Sequence, residues 1–273
     1  MSEVDVSIRR AENLDDYLAC VALQKQVWGY TEMEDVAAQP ILMIGNRFGG
    51  NLLVATDRSG RYIGFSFAMP GWKQDKERFW WSHMTAVIQE YRNRDVGLAL
   101  KLRQREEALA AGIDRIEWTF DPMQAMNAYF NIRKLGVIVH EYEENVYGYT
   151  SSPLHSGLPT DRFVAEWNLD SGHVKSRLGD PAVILRDIDR MPVVNRGGSE
   201  PDLSLEDSPL LLEIPADLSA LKAADLAKAK QWQAGVRRSC LHYFHRGYAV
   251  TDFIRVGTPE PQTLYVLETA AVI

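Results

Sequence analysis

Residues 83–99, HMTAVIQEYRNRDVGLA, group side chains and backbone able to do chemistry. Apolar and β-branched residues up to Ile88 predict a strand. Arg92 and Arg94 stand in a polar bend, and a helix is expected from Val96. The first turn of a helix carries N–H groups with no internal partner, and the helix dipole places positive charge behind them. That geometry suits a diphosphate. Arg92, Asn93, Arg94, Asp95, Val96, Gly97, Leu98 and Ala99 are therefore the candidate grip, with Gly97 and Ala99 small enough for a ligand to approach the backbone. Asp95 is discordant, because a carboxylate repels a diphosphate. Its side chain is expected to point into solvent or to cap the helix.

Just before the bend, the strand closes on Thr85, Ala86 and Val87, whose backbone is a candidate contact for a ligand held there. A spacing of two puts His83 on one strand face with Thr85 and Val87. A neutral imidazole there would accept a proton near pH 7; a packed structural histidine is the competing reading. Glu117, on one face of a later strand with Thr119 and Asp121, is a second base candidate. Its competing reading is a salt-bridged or solvated carboxylate.

These residues resemble the phosphate-binding signature of the GNAT superfamily: Arg or Gln, two residues, Gly, one residue, then Gly or Ala. Arg92 to Gly97 fits that frame except at Asp95, and Arg94 to Ala99 fits it as written. The segment from Asn127 to Val137, NAYFNIRKLGV, resembles the second conserved GNAT region. In element order the resemblance runs from residue 6 to about residue 149. The runs YRNRDVGLALKLRQREEAL, EWTFDPMQAMNAYFNIRKLG and GLPTDRFVAEW are similar to a bacterial group of GNAT proteins of comparable length, some of them linked with N-succinylation of amino acids.

The resemblance implies acetyl-CoA or another acyl-CoA as co-substrate. It implies direct attack on the thioester by a primary amine of a small molecule, amino acids included, with acetyl or succinyl transferred. Asn127 and Asn131 would contact the cofactor amide or the acceptor. The superfamily's usual acid is a Tyr four residues before the helix-ending Gly; here that position is Ile132, before Gly136. Tyr129, Asn131, Tyr147 and Tyr149 are the substitutes, Tyr129 being the catalytic candidate. A GNAT fold that binds or senses acyl-CoA without turnover is the alternative.

Positioning these groups requires a mixed α/β (α+β) plan. Strands are expected over 4–9, 51–56, 62–70, 79–88, 115–120 and 137–142, with helices over 17–27, 96–111 and 123–135. Residues 28–39 read as irregular or as a second short helix. Beyond them, strands are expected over 163–169, 183–187, 210–214, 248–256 and 263–268. A helical stretch over 219–244 is expected to break near Gly235, and 196–209 reads as a loop. Helix, Gly and strand around Gly247 echo those around Gly136. Residues 1–150 are thus expected to form the acyl-CoA-binding domain, and 151–273 a smaller C-terminal lobe, a degenerate GNAT-like half.

The net charge of -7 argues against nucleic-acid binding, which relies on dense Lys and Arg. No Cys/His cluster has metal-ligand spacing, so no metal is expected. Cys20 and Cys240 sit in apolar helical contexts and read as buried, reduced thiols. A polar N-terminus and the lack of a bilayer-length apolar run point to a cytoplasmic protein with no membrane partner. An apolar second lobe is compatible with a homodimer.

Overall fold

The computed structural model describes residues 6–74, 77–148, 157–179, 187–258 and 261–269. These fall into two compact units, the first ending at Trp118 and the second beginning at Thr119. The division lies inside a strand, whereas the sequence boundary is drawn near residue 150.

The first unit is a mixed sheet with helices. Its elements are β1 (Ser7–Arg10), α1 (Leu14–Trp28), α2 (Gln39–Arg47), β2 (Asn51–Thr56), β3 (Tyr62–Trp72), β4 (Arg78–Val87), α3 (Val96–Ala110) and the first part of β5 (Arg115–Phe120). The strand order is β1-β2-β3-β4-β5. Pairing is antiparallel as far as β4 and parallel between β4 and β5. β2 and β3 are buried on both faces, with Leu52 to Ala55, Ile63, Phe65 and Phe67 all at zero exposure. This explains why β2 reads as a continuous apolar run instead of alternating.

Local chemistry starts and stops these helices. Asn13 and Asp16 form a reciprocal capping box on α1, and Gly29 ends it in the left-handed region. Sequence periodicity leaves α2 largely unread, because Pro40, Gly45 and Asn46 are weak helix formers. Packing supplies what propensity does not: a Cβ on Gly45 would stand 2.6 Å from the Phe67 ring, so only glycine lets α2 lie this close to β3.

In the second unit, α4 (Ala125–Ala128) runs into a π-helical turn (Tyr129–Lys134). There follow β6 (Ile138–Glu143), β7 (Arg162–Asn168), α5 (Gly172–Gly179), β8 (Leu210–Ile214), α6 (Leu218–Ala224), α7 (Leu226–His245), β9 (Tyr248–Val256) and β10 (Gln262–Thr269). The strand order is β7-β6-β9-β10-β8, antiparallel throughout. Phe163 is its aromatic centre, 5.3 to 5.9 Å from the rings of Phe120, Tyr142, Phe244 and Tyr265.

One expectation changes in this unit. The helical stretch breaks at Asp225, not near Gly235: Asp225 ends α6 and its side chain caps α7 by accepting from Lys228 N–H, while Gly235 is buried within α7. Helix α5 was not anticipated. Of the strand expected over 183–187, residues 183–186 lie outside the described residues, and Asp187 is not in a strand. Cys20 and Cys240 are buried free thiols, as expected, and burial pushes the Cys20 thiol up to about 12.

Candidate functional site

The geometry begins with a register shift in β4. Phe67 pairs with Met84, but Ala68 pairs with Ser82, so His83 is an extra residue, a β-bulge. The bulge breaks the spacing of two. The His83 ring lies edge-on to Phe67, 6.4 Å between centroids, while Thr85 pairs across the ladder with Ser66. His83 therefore does not share a face with Thr85 and Val87, which corrects the sequence expectation.

Beyond the bulge, no strand among the described residues pairs with β4 on its β5 side. Its parallel pairing with β5 covers only Trp80 with Ile116 and Trp81 with Glu117 among the described residues. Ile88 N–H donates to Ile63 C=O at 2.9 Å. Antiparallel ladders alternate, so Ala86 also faces β3, and Thr85 and Val87 turn their N–H groups to the opposite edge. Arg92 Nε donates to Val87 C=O at 3.2 Å, which agrees with that orientation. The Thr85 hydroxyl is buried without a hydrogen-bond partner. An orphaned polar group of this kind beside open backbone donors fits a polar ligand atom.

The bend from Gln89 to Asp95 is strained where it meets α3. Asn93 (φ 59°) and Asp95 (φ 56°) both adopt the left-handed region without being glycine. Such outliers persist where surrounding structure holds them and are common at ligand sites. Left-handed residues in succession with right-handed ones are the backbone pattern from which anion-binding turns are made. Asp95 is the N-cap residue, yet its side chain makes no capping bond and is exposed. The first helical bond runs from Ala99 N–H to Asp95 C=O, so the N–H groups of Val96, Gly97 and Leu98 precede the ladder. Arg94 stacks on the Tyr91 ring at 5.6 Å, and the Tyr91 hydroxyl donates to Asp57 at 2.9 Å. Asp57 thereby ties the bend to the β2–β3 turn, a contact with no signal in the sequence.

His83 is exposed, but crowding by protein still lowers its pKa below the ordinary histidine value. Contact with solvent softens that effect, and its direction leaves a neutral imidazole at pH 7. Glu117 is buried in an ion cluster, 2.6 Å from Lys73 Nζ and 3.2 Å from Arg115 Nε. This is the salt-bridged arrangement.

Sequence reasoning missed Lys101, which is buried in α3. Its ammonium donates to Ser82 Oγ (2.8 Å) and Gln104 Oε1 (3.2 Å) and stands 3.7 Å over the Trp118 ring. The available signal was positional: Lys101 and Gln104 fall among Val96, Leu100 and Ala108 on the buried side of α3. A cleft of ≈ 270 Å³ lined by Arg10, Arg47, Trp80 and Glu107 lies at the other end of that helix, away from the bend.

Asn127, Tyr129 and Asn131 belong to the second unit. Here the π-helical turn matters. Leu135 N–H reaches back to Phe130 C=O, a five-residue span that marks the π-helical turn. Asn127 is exposed and Asn131 is 5 % exposed, so solvent reaches the first and the second is buried. Tyr129 is exposed, Ile132 is fully buried, and the Tyr147 hydroxyl pairs with Thr119 at 2.9 Å. Tyr149 lies outside the described residues. Among the described residues, no group of three His, Cys, Asp or Glu side chains is placed to hold a metal, and no helix is long and apolar enough to cross a membrane.

No protein-family model and no curated protein matches the chain. Solved structures do. The chain is similar to the NatC complex bound to Gag peptide and CoA, at 12 % identity over 60 % of this chain and 98 % of that one, with a TM-score of 0.49. It is similar to the ribosomal-protein-S18-alanine N-acetyltransferase from Escherichia coli, at 13 % identity over 61 % and 96 % and a TM-score of 0.48. It is also similar to a GNAT family acetyltransferase from Elizabethkingia anophelis with acetyl-CoA bound, at 15 % identity over 62 % and 99 % and a TM-score of 0.45.

Proposed function

We propose that the chain is a GNAT-type N-acyltransferase that moves an acetyl or succinyl group from CoA to a primary amine of a small molecule, amino acids included. The observation that supports this best is continuous along the backbone. A bulged strand opens one edge at Thr85 and Val87 and feeds an arginine-bearing bend with two left-handed residues, which ends at an uncapped helix N-terminus. The bend and the first turn of α3 would hold the diphosphate of the acyl donor. Thr85 and Val87 N–H groups would then stabilise the oxyanion as the amine adds to the thioester carbonyl. The C–N bond forms, the C–S bond breaks, and the amine's proton leaves to a base.

His83 is the first choice for that base, being neutral at pH 7 and open to solvent. Glu117 is the second. Thiolate is a tolerable leaving group, so the chemistry does not require an acid at Ile132. A second reading, acyl-CoA binding without turnover, is favoured by Ile132 itself: an apolar, fully buried residue stands where the superfamily has its acid. Thiol release from acetyl-CoA and succinyl-CoA with a panel of amino acids, polyamines and a peptide with a free N-terminus separates the two. Turnover with small amines supports the first. Binding of CoA with no release on any acceptor supports the second, and no binding of CoA overturns both. Tyr129→Phe tests the acid role that the resemblance suggests for this phenol.

A further inference from the structure

We infer that Arg94 selects for the extra phosphate that coenzyme A carries on its ribose, and that the Tyr91 ring is what positions it. The inference rests on the reading of the bend as a diphosphate grip. It goes further by giving the two arginines of the bend to two different parts of one donor.

Those arginines have different seats. Arg92 turns back along β4, where its Nε donates to Val87 C=O at 3.2 Å. After Asn93, left-handed at φ 59°, Arg94 lies over the Tyr91 ring, 5.6 Å from its centroid. Arg94 is exposed, and no carboxylate among the described residues pairs with it. Nearby negative groups are turned elsewhere. Glu90 pairs with Arg61 at 3.2 Å. Asp57 Oδ1 accepts from the Ser59 N–H (2.9 Å), the Ser59 hydroxyl (2.6 Å) and the Arg61 N–H (3.1 Å), and its Oδ2 accepts from the Tyr91 hydroxyl. The Asp95 side chain is exposed and does not cap α3.

An arginine on the surface ordinarily loses much side-chain freedom when it meets an anion. Arg94 has a platform that removes part of that cost. The Tyr91 ring packs on the hydrophobic core of the first unit, and its hydroxyl is anchored on Asp57, whose bonds to Ser59 and Arg61 close the β2–β3 turn. A planar guanidinium stacked on an aromatic face keeps its N–H edges free for a bidentate contact with phosphate.

The direction of the donor places its ribose on this side. A diphosphate held by the N–H groups of Val96 to Leu98 joins an acyl arm on one side to an adenosine on the other. The acyl arm must run toward Thr85 and Val87, past Arg92. The ribose then leaves away from β4, and Arg94 on Tyr91 is the unpaired cation of the bend that it meets.

Calorimetric titration of the full chain with coenzyme A and with dephospho-coenzyme A, which differ only in that phosphate, tests this. The wild type should bind coenzyme A about fivefold more tightly at about 0.1 M salt, and the ratio should shrink at higher salt because the pair is exposed. Arg94→Gln should bind the two alike. Arg92→Gln should weaken both and keep the ratio. Tyr91→Leu should lose the preference, and Tyr91→Phe, which keeps the ring, should retain most of it. Equal binding of the two ligands by the wild type overturns the inference and leaves the diphosphate reading standing. So does a preference that survives Arg94→Gln or Tyr91→Leu, or one that Arg92→Gln removes. Absence of binding by either ligand overturns both readings. Should Tyr91→Leu fail to fold, the exposed change Arg94→Gln still decides.

Discussion

A side chain in a bulge is aimed by backbone geometry, and that makes His83 testable as an individual residue. Its folded pKa is lowered, so the neutral form dominates at pH 7 and is lost only as pH falls below the ordinary histidine value of about 6.5. If His83 is the base, kcat/KM rises with pH through a value under 6.5 and then stays level. His83→Gln should lower it by about 10²- to 10⁴-fold and abolish that acidic limb. A full limb remaining in the variant would move the role to Glu117, for which Glu117→Gln is the matching measurement. At the bend, Gly97→Glu puts a carboxylate among N–H groups that would otherwise face phosphate. CoA affinity measured by calorimetry should fall at least tenfold, roughly 1.4 kcal/mol or more.

Elements depend on a different kind of residue. Asp16, fully buried at the start of α1, accepts from Arg9 (2.7 and 2.8 Å), from the Tyr62 hydroxyl (2.7 Å) and from the N–H groups of Glu12 and Asn13. Burial by itself would raise its pKa. The bonds from Arg9, Glu12, Tyr62 and Asn13 outweigh burial and hold the carboxyl well below the usual range. The folded value lies under the unfolded one, so the stabilisation is present above about pH 4 and is lost as pH falls below it. Asp16→Asn should cost about 2 kcal/mol at pH 7 in urea titrations. That is less than a fully buried pair, because Arg9 is 41 % exposed and can rehydrate. The difference from wild type should shrink toward pH 2; a pH-independent difference would show that charge is not what Asp16 contributes. The π-helical turn is the other lesson at this scale. From spacing alone, residues 123–135 read as one α-helix. The structure divides that stretch into α4 and a π-helical turn at Tyr129–Lys134, and nothing in the spacing announces it.

For the whole molecule, a ligand that binds only the folded chain must raise its melting temperature. CoA at 100 times its Kd adds about 2.7 kcal/mol, which corresponds to about 5 °C or more for a domain of this size. A thermal melt with no shift in CoA would count against the diphosphate reading before any acceptor is tried. Sequence alone determined the strands of the first unit, the position of the bend at residues 89–95 and the start of α3. Those follow from local rules: apolar spacing, turn residues, and N–H groups that have no partner in any helix's first turn. Only the tertiary structure decided the bulge at His83, the burial of Lys101, helix α2 and the division after Trp118. Each is settled between residues far apart in sequence. A strand's register is set by its neighbour, so one inserted residue is invisible to a spacing of two. A lysine is buried or exposed according to what packs over it. Gly45 makes a helix possible only because Phe67 is there to meet it.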